Sequence, residues 1–346
     1  MYRRNFGIDL LKIIAMFMIF FIHLLGEGGV ITKLQYTGGI KYYFVSAIVV
    51  AFYCHVNCYG LISGYLGMRS DFKYSKLLLL WCQVIFYSFG GTVLLLLFGY
   101  RSESSDLWRN SLFPIFSGTY WYVTSYFGMM ILMPIVGPIL KKIETKELLK
   151  LSVVLFLTFS FFPTILSVNG KFLGINQGLS LIWLLNLYIF GALLYKLDFK
   201  KLSNKKLFTV YILSICFTVV FKGYLNRDYW LTYNSPTILF SAFSIFLIFI
   251  KLNIKKEFLK QILRILSPLT LGVYLIHYQP LIYELFLKDK LYFLAEKTFF
   301  SFVFSLVGVS VSCFIICLII DYIRLRIFEK MHVKEYCQKI CKLFDE

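Results

Sequence analysis

The chain has 346 residues; 59% are hydrophobic, only 16% are charged, and the mean hydropathy is +0.74. That balance excludes an ordinary soluble globular domain. A net charge of +18 would suit nucleic acid, but the way the charge is distributed along the chain argues against that partner.

Ten apolar segments can be read in order, at about 7–25, 42–66, 77–99, 120–140, 150–168, 179–196, 207–222, 235–252, 265–287 and 299–320. Each is near the roughly 20 residues that a helix needs to cross a bilayer. An all-α, polytopic membrane protein of about ten spans is therefore predicted. With the N-terminus inside, 25 of the 36 Lys and Arg fall on that side, ten on the other, and Lys12 lies within the first segment. The bias fits the positive-inside rule and places both termini in the cytoplasm. The basicity then reports topology and contact with anionic lipid, and no nucleic-acid partner is expected.

The first segment begins with Asp9 and Lys12 and carries His23 near its outer end. Ionisable groups inside a span cost several kcal/mol when poorly placed, which makes them functional candidates. Eleven helical steps turn about 1100°, so Lys12 and His23 share one face about 16 Å apart along the axis. Asp9 and Lys12 are three residues apart and can pair. The plainer readings are a headgroup anchor for Asp9 and Lys12 and an interfacial histidine for His23. The stretch His23-Leu24-Leu25-Gly26-Glu27 offers no signal-peptide cleavage site, so the segment is expected to remain as span one.

The second segment ends in Gly60-Leu61-Ile62-Ser63-Gly64-Tyr65, followed by Arg69, Lys73 and Lys76. The small residues permit close helix approach. The cations could hold phosphates or simply mark the inner side. His55, in the same segment, is a weaker candidate. Outer loops at about 26–41, 100–119 and 223–234 are long enough to carry function. Tyr120, Trp121 and Tyr122 open the fourth segment, where aromatics form an interfacial belt or stack on sugar rings.

The ninth segment contains Tyr274-Leu275-Ile276-His277, a second intramembrane histidine. The eight cysteines show no metal-ligand spacing, and no metal or structural disulfide is expected. The charged tail, 322–346, reads as a short cytoplasmic helix lying on the inner leaflet. Neither linker nor repeat divides residues 5–321, which are expected to form one membrane domain.

These motifs occur in an order that resembles the acyltransferase-3 family of membrane-bound O-acyltransferases, which decorate bacterial surface glycans. Asp9, Lys12 and His23 match its basic-x10-His signature, with Lys where Arg is commoner. Ser63-Gly64-Tyr65, Trp121-Tyr122 and Tyr274-Leu275-Ile276-His277 match its later motifs; Lys73-x-x-Lys76 replaces an Arg pair. The resemblance covers about residues 5–321. It implies acyl transfer from acyl-CoA, most often acetyl-CoA, to a hydroxyl of a surface or capsular polysaccharide or its lipid-linked precursor. It implies catalytic roles for His23, Lys12 and Asp9, and acyl-CoA binding by Lys12, Arg69, Lys73, Lys76 and Ser63. Tyr120, Trp121, Tyr122, Tyr274 and His277 would face the acceptor or support the site. His23 would act as a base or carry the acyl group itself. The expected setting is a bacterial plasma membrane, with a homodimer left open. A lipid-linked sugar flippase, a glycan polymerase and a non-catalytic sensing module are the competing readings; a transporter would favour paired halves, and no such symmetry is visible.

Overall fold

A computed structural model of the chain describes residues 4–101, 104–168, 172–199, 201–224 and 228–345. Arg3, Ser102, Lys171, Lys200, Asn226 and Arg227, counted above among the cations and loops, lie outside them. The described residues are helical, without a strand. In chain order the α-helices are α1 (Phe6–Gly26), α2 (Val30–Thr37), α3 (Gly39–Phe52), α4 (His55–Gly67), α5 (Tyr74–Ile85), α6 (Gly91–Leu97) and α7 (Leu107–Leu112). Next come α8 (Trp121–Lys142), α9 (Thr145–Phe156), α10 (Phe162–Ile165), α11 (Leu181–Lys196), α12 (Asn204–Val219), α13 (Pro236–Ile250) and α14 (Glu257–Leu266). The last five are α15 (Thr270–His277), α16 (Pro280–Ile282), α17 (Phe299–Lys330), α18 (Val333–Ile340) and α19 (Lys342–Asp345).

Among the described residues, eight helical stretches are long and apolar enough to cross a membrane, or nine if the pair Phe172–Gly178 and Leu181–Lys196, bent by 76°, is counted as one broken span. Helix α13 is apolar but has only 15 residues. Each of the ten expected segments thus corresponds to a helix, and the chain is a multi-pass all-α membrane protein. Two boundaries differ. The ninth span runs Glu257–His277, not to 287. Gln279 is extended (φ −60°, ψ 130°), and Pro280 starts a new turn, with the Gln279 side chain accepting from the Ile282 N–H. Proline pushes its predecessor out of helical conformation, so the span must break there. The last helical stretch runs Phe299–Lys330, past the expected segment end at about 320.

The chain divides into two compact units. The first contains residues up to Met18, Ala47–Phe72 and Ser125–Ser267. Its centre is α4 against α11. A Cβ on Gly64 would lie 1.9 Å from the Tyr188 carbonyl oxygen, and one on Gly191 would lie 2.3 Å from that of Leu61. These glycines bring the two backbones together, as small residues do between membrane helices. Buried Asn57 locks the packing: its Nδ2 donates to the Tyr233 carbonyl (2.7 Å), and its Oδ1 accepts from Trp183 Nε1 (3.0 Å).

The second unit contains Ile19–Ser46, Lys73–Thr124 and the chain from Pro268 onward. Here α15 packs on α17 around a fully buried carboxylate. Asp321 accepts from Arg324 Nε (2.9 Å) and Nη2 (2.7 Å) and from the Tyr87 hydroxyl (2.7 Å). Gly272 makes room for it, because a Cβ there would stand 2.0 Å from the Asp321 carboxyl carbon.

Gly272→Ala is therefore expected to cost about 2 kcal/mol through overpacking. Asp321→Ala, which strands a buried guanidinium, is expected to cost about 3–5 kcal/mol. Gly308→Ala, whose Cβ would meet nothing within 4 Å, is the control. Thermal unfolding in detergent should give the lowest midpoint for Asp321→Ala, an intermediate one for Gly272→Ala and the highest for Gly308→Ala; equal midpoints for Gly272→Ala and Gly308→Ala would contradict this packing.

Candidate active site

In the first unit, the start of α1 is fixed by Asn5. Its Oδ1 accepts from the Gly7 and Ile8 N–H groups (2.9 and 3.2 Å), satisfying the helix N-terminus, while its Nδ2 donates to the Ile250 carbonyl (2.9 Å). Asp9, one turn further on, is buried. It accepts from Arg4 Nε (2.5 Å) and from the Ser267 hydroxyl (3.0 Å). This corrects the expected Asp9–Lys12 pair: both carboxylate oxygens are engaged elsewhere, and among the described residues no ion pair joins Asp9 to Lys12. Lys12 is half-buried, and its backbone carbonyl accepts from the Tyr59 hydroxyl (2.6 Å).

The same end of this unit holds an open cavity of about 370 Å³ whose polar lining is Arg4, Asn5, Arg69, Lys251, Asn253 and Lys260. Four cations line it, two of them ion-paired at the same time: Arg4 with Asp9 and Lys260 with Glu257. Arg69 is held between aromatic faces, its guanidinium carbon 4.9 Å from the Tyr65 ring centre and 5.7 Å from that of Tyr195. One guanidinium nitrogen donates to the Tyr65 hydroxyl (3.2 Å), and its buried Nε has no partner.

Of the expected acyl-CoA residues, only Arg69 lines this cavity. The Ser63 hydroxyl donates instead to the Tyr59 carbonyl of its own helix (2.9 Å). Lys73 and Lys76 are exposed and belong to the second unit. Arg4, Asn5, Lys251, Asn253 and Lys260 were missed as site residues, because their basic members read as topology signals.

The second unit carries His23 and His277. His277 is the last residue of α15, ahead of the break at Gln279–Pro280. Its Nδ1 is 2.6 Å from the Val273 carbonyl oxygen, and its Nε2 is 2.8 Å from His23 Nδ1. A carbonyl only accepts, so His277 Nδ1 carries a hydrogen. In neutral His277 the other nitrogen, Nε2, is then the acceptor, and His23 Nδ1 must be the donor. The basic lone pair of His23 is thereby directed to Nε2.

Aromatic rings enclose this pair. The Tyr278 ring lies 4.7 Å from that of His23, and Phe20 meets His277 edge-on at 5.0 Å. Tyr274 is 6.4 Å from His23 and 5.8 Å from His277, ring centre to ring centre. The buried Tyr274 hydroxyl makes no well-formed hydrogen bond, although the Tyr122 backbone N–H is near it. Tyr120 is fully buried rather than part of an interfacial belt: its hydroxyl donates to the Leu275 carbonyl (3.3 Å), and its ring packs on Tyr274 (5.9 Å). Tyr122 also faces Tyr274 (6.4 Å), and Trp121 packs edge-on against Tyr122 (5.7 Å). The second unit thus brings together His23, His277, Tyr274, Tyr120 and Tyr122, residues 254 positions apart in sequence at the extreme pair. Glu27, Tyr278 and Tyr283 join the same neighbourhood without having been expected there. Glu27 had been noted only for the absence of a cleavage site.

Comparison with known proteins points the same way. No curated protein and no solved structure matches the chain. The family model described as an acyltransferase domain, that of the acyltransferase-3 family, matches residues 5–322. With that match spanning nearly its whole length, the chain belongs to the acyltransferase-3 family.

Proposed function

We propose that this acyltransferase moves an acyl group, most simply acetyl, from cytoplasmic acyl-CoA to a hydroxyl of a cell-surface polysaccharide or its lipid-linked precursor in a bacterial plasma membrane. The observation that supports the reading is the Val273–His277–His23 hydrogen-bond chain, an arrangement suited to His23 acting as a base through Nε2. Neutral imidazole suits proton removal from a sugar hydroxyl near pH 7. His23 Nε2 takes the hydroxyl proton as the oxygen bonds to the thioester carbonyl carbon. The tetrahedral adduct collapses with cleavage of the carbon–sulfur bond. The leaving thiolate receives the proton from His23, giving an ester and free CoA. His277, at the negative end of the α15 dipole, favours the positive charge that His23 gains in this step.

The cationic cavity suits the donor's nucleotide phosphates, with Arg69, Arg4, Lys251 and Lys260 as counter-charges. Asp9 supports the reading in a different role from the expected one: it anchors Arg4.

Purified protein is expected to consume acetyl-CoA only when a glycan acceptor is present. His23→Ala should cut that turnover about 10²–10⁴-fold. Near-normal ester on the glycan, at normal protein abundance, would remove His23 from the mechanism. His277→Ala should cost at least tenfold, and His277→Gln, whose amide oxygen can still accept from His23 Nδ1, should retain more activity than the alanine variant. Equal loss in both would argue against the orienting role. Arg69→Ala should raise KM for acetyl-CoA about tenfold, the scale of one hydrogen bond to a charged group. An unchanged KM would exclude the cavity as the donor site.

A further inference from the structure

Glu27 directly follows the last residue of α1, one turn beyond His23, with its backbone N–H donating to the His23 carbonyl (2.9 Å). Its carboxylate is held by two phenols: Tyr278 donates to Oε1 (3.0 Å) and Tyr283 to Oε2 (2.7 Å). Among the described residues no cation pairs with it. This sets Glu27 apart from Asp9 and Asp321, each of which is neutralised by an arginine.

A carboxylate offers about four acceptor positions, and the two phenols fill two of them. Each oxygen keeps an acceptor site, and each phenol oxygen can accept once more. The group is only half-buried, so these sites are within reach of a ligand. The rings add flat apolar surface: Tyr278 lies 4.7 Å from His23, 5.8 Å from Tyr274 and 5.5 Å from Tyr283. Acceptor oxygens with spare capacity beside aromatic faces suit a ligand with several neighbouring hydroxyls and C–H faces, that is, a sugar ring.

The position is also fixed. The Glu27 and Gly28 carbonyls accept from the N–H groups of Asp289 (2.8 Å) and Leu291 (2.9 Å), tying the end of α1 to the loop before α17. The carboxylate is thereby held one helical turn from the base.

We infer that Glu27, with Tyr278 and Tyr283, is the sugar-binding subsite for the acceptor: its carboxylate accepts hydrogen bonds from ring hydroxyls next to the one presented to His23. This rests on the proposed glycan acylation and adds to it the residues that choose the acceptor. Removing the negative charge should then weaken acceptor binding and leave donor binding alone.

The test is steady-state kinetics of purified protein with acetyl-CoA and chemically de-O-acylated envelope polysaccharide from the host that carries the gene. Glu27→Gln is expected to raise the apparent KM for the polysaccharide at least tenfold while KM for acetyl-CoA stays within about twofold, as befits a lost charge-assisted hydrogen bond. Tyr283→Phe keeps the carboxylate but removes one anchor, and should raise the same constant about threefold; it carries the test if Glu27→Gln does not fold. Glu296→Gln, which removes an exposed carboxylate paired with Lys33, is the unaffected control. An unchanged polysaccharide KM, or a loss confined to kcat, would overturn the subsite. Should wild-type protein consume no acetyl-CoA, the proposed activity falls and direct titration with the polysaccharide decides the subsite separately. Binding weakened at least tenfold by Glu27→Gln would uphold it; equal binding, or none, would overturn it.

Discussion

The hydrogen-bond chain from the Val273 carbonyl through His277 to His23 is the constraint on which the site depends. Within a span there is no bulk water to satisfy an imidazole, so a protein partner for a ring nitrogen is worth more there than at a surface. One backbone carbonyl settles the matter in sequence. It fixes the hydrogen on His277 Nδ1, which fixes His277 Nε2 as an acceptor, which fixes the hydrogen on His23 Nδ1. The helix break after His277 is part of the same arrangement. Gln279 is buried, and its Nε2 donates to the Thr92 hydroxyl (2.8 Å), which lies 2.8 Å from the Ser111 hydroxyl. This polar ladder holds the broken turn, and the break leaves His277 at a helix end.

The two buried carboxylates illustrate how the units meet the cost of charge in an apolar setting. Asp321 is paired through a bidentate arginine on its own helix, with a tyrosine completing its shell. Asp9 is paired through an arginine that precedes its helix, with a serine completing its shell. Both are fully partnered, as buried ions must be to persist. Glu27 is partnered only by neutral phenols, and this difference in counter-charge is what marks it as a group with capacity for a ligand.

Much of this was legible in the sequence, for reasons of physical periodicity. Each of the ten apolar segments coincides with helical structure, because in a membrane the backbone has little choice but to hydrogen-bond within its own helix. The close approach at Gly64 was legible because only small residues permit it. Tyr274 and His277 were visible as costly polar residues in an apolar run. Their contact with His23 was not, since no local pattern encodes a meeting across 254 residues. Asp9 was assigned the wrong partner because helical spacing exposes i, i+3 neighbours and hides an arginine folding back from before the helix. The cavity was only partly foreseen, since Arg4, Lys251 and Lys260 are indistinguishable from topology signals until the chain folds. The turn at 278–280 could have been read from Gln279-Pro280 but was masked by the apolar residues around it.

The central claim is that His23 and His277 act as one unit. A double-mutant cycle on acetyl transfer tests it most directly, because groups that act together lose their effects non-additively. If His277 works only by orienting His23, the His23→Ala/His277→Ala enzyme should turn over at the rate of His23→Ala alone. A double variant slower by the product of the two single losses would show that the histidines act independently, and would contradict the account.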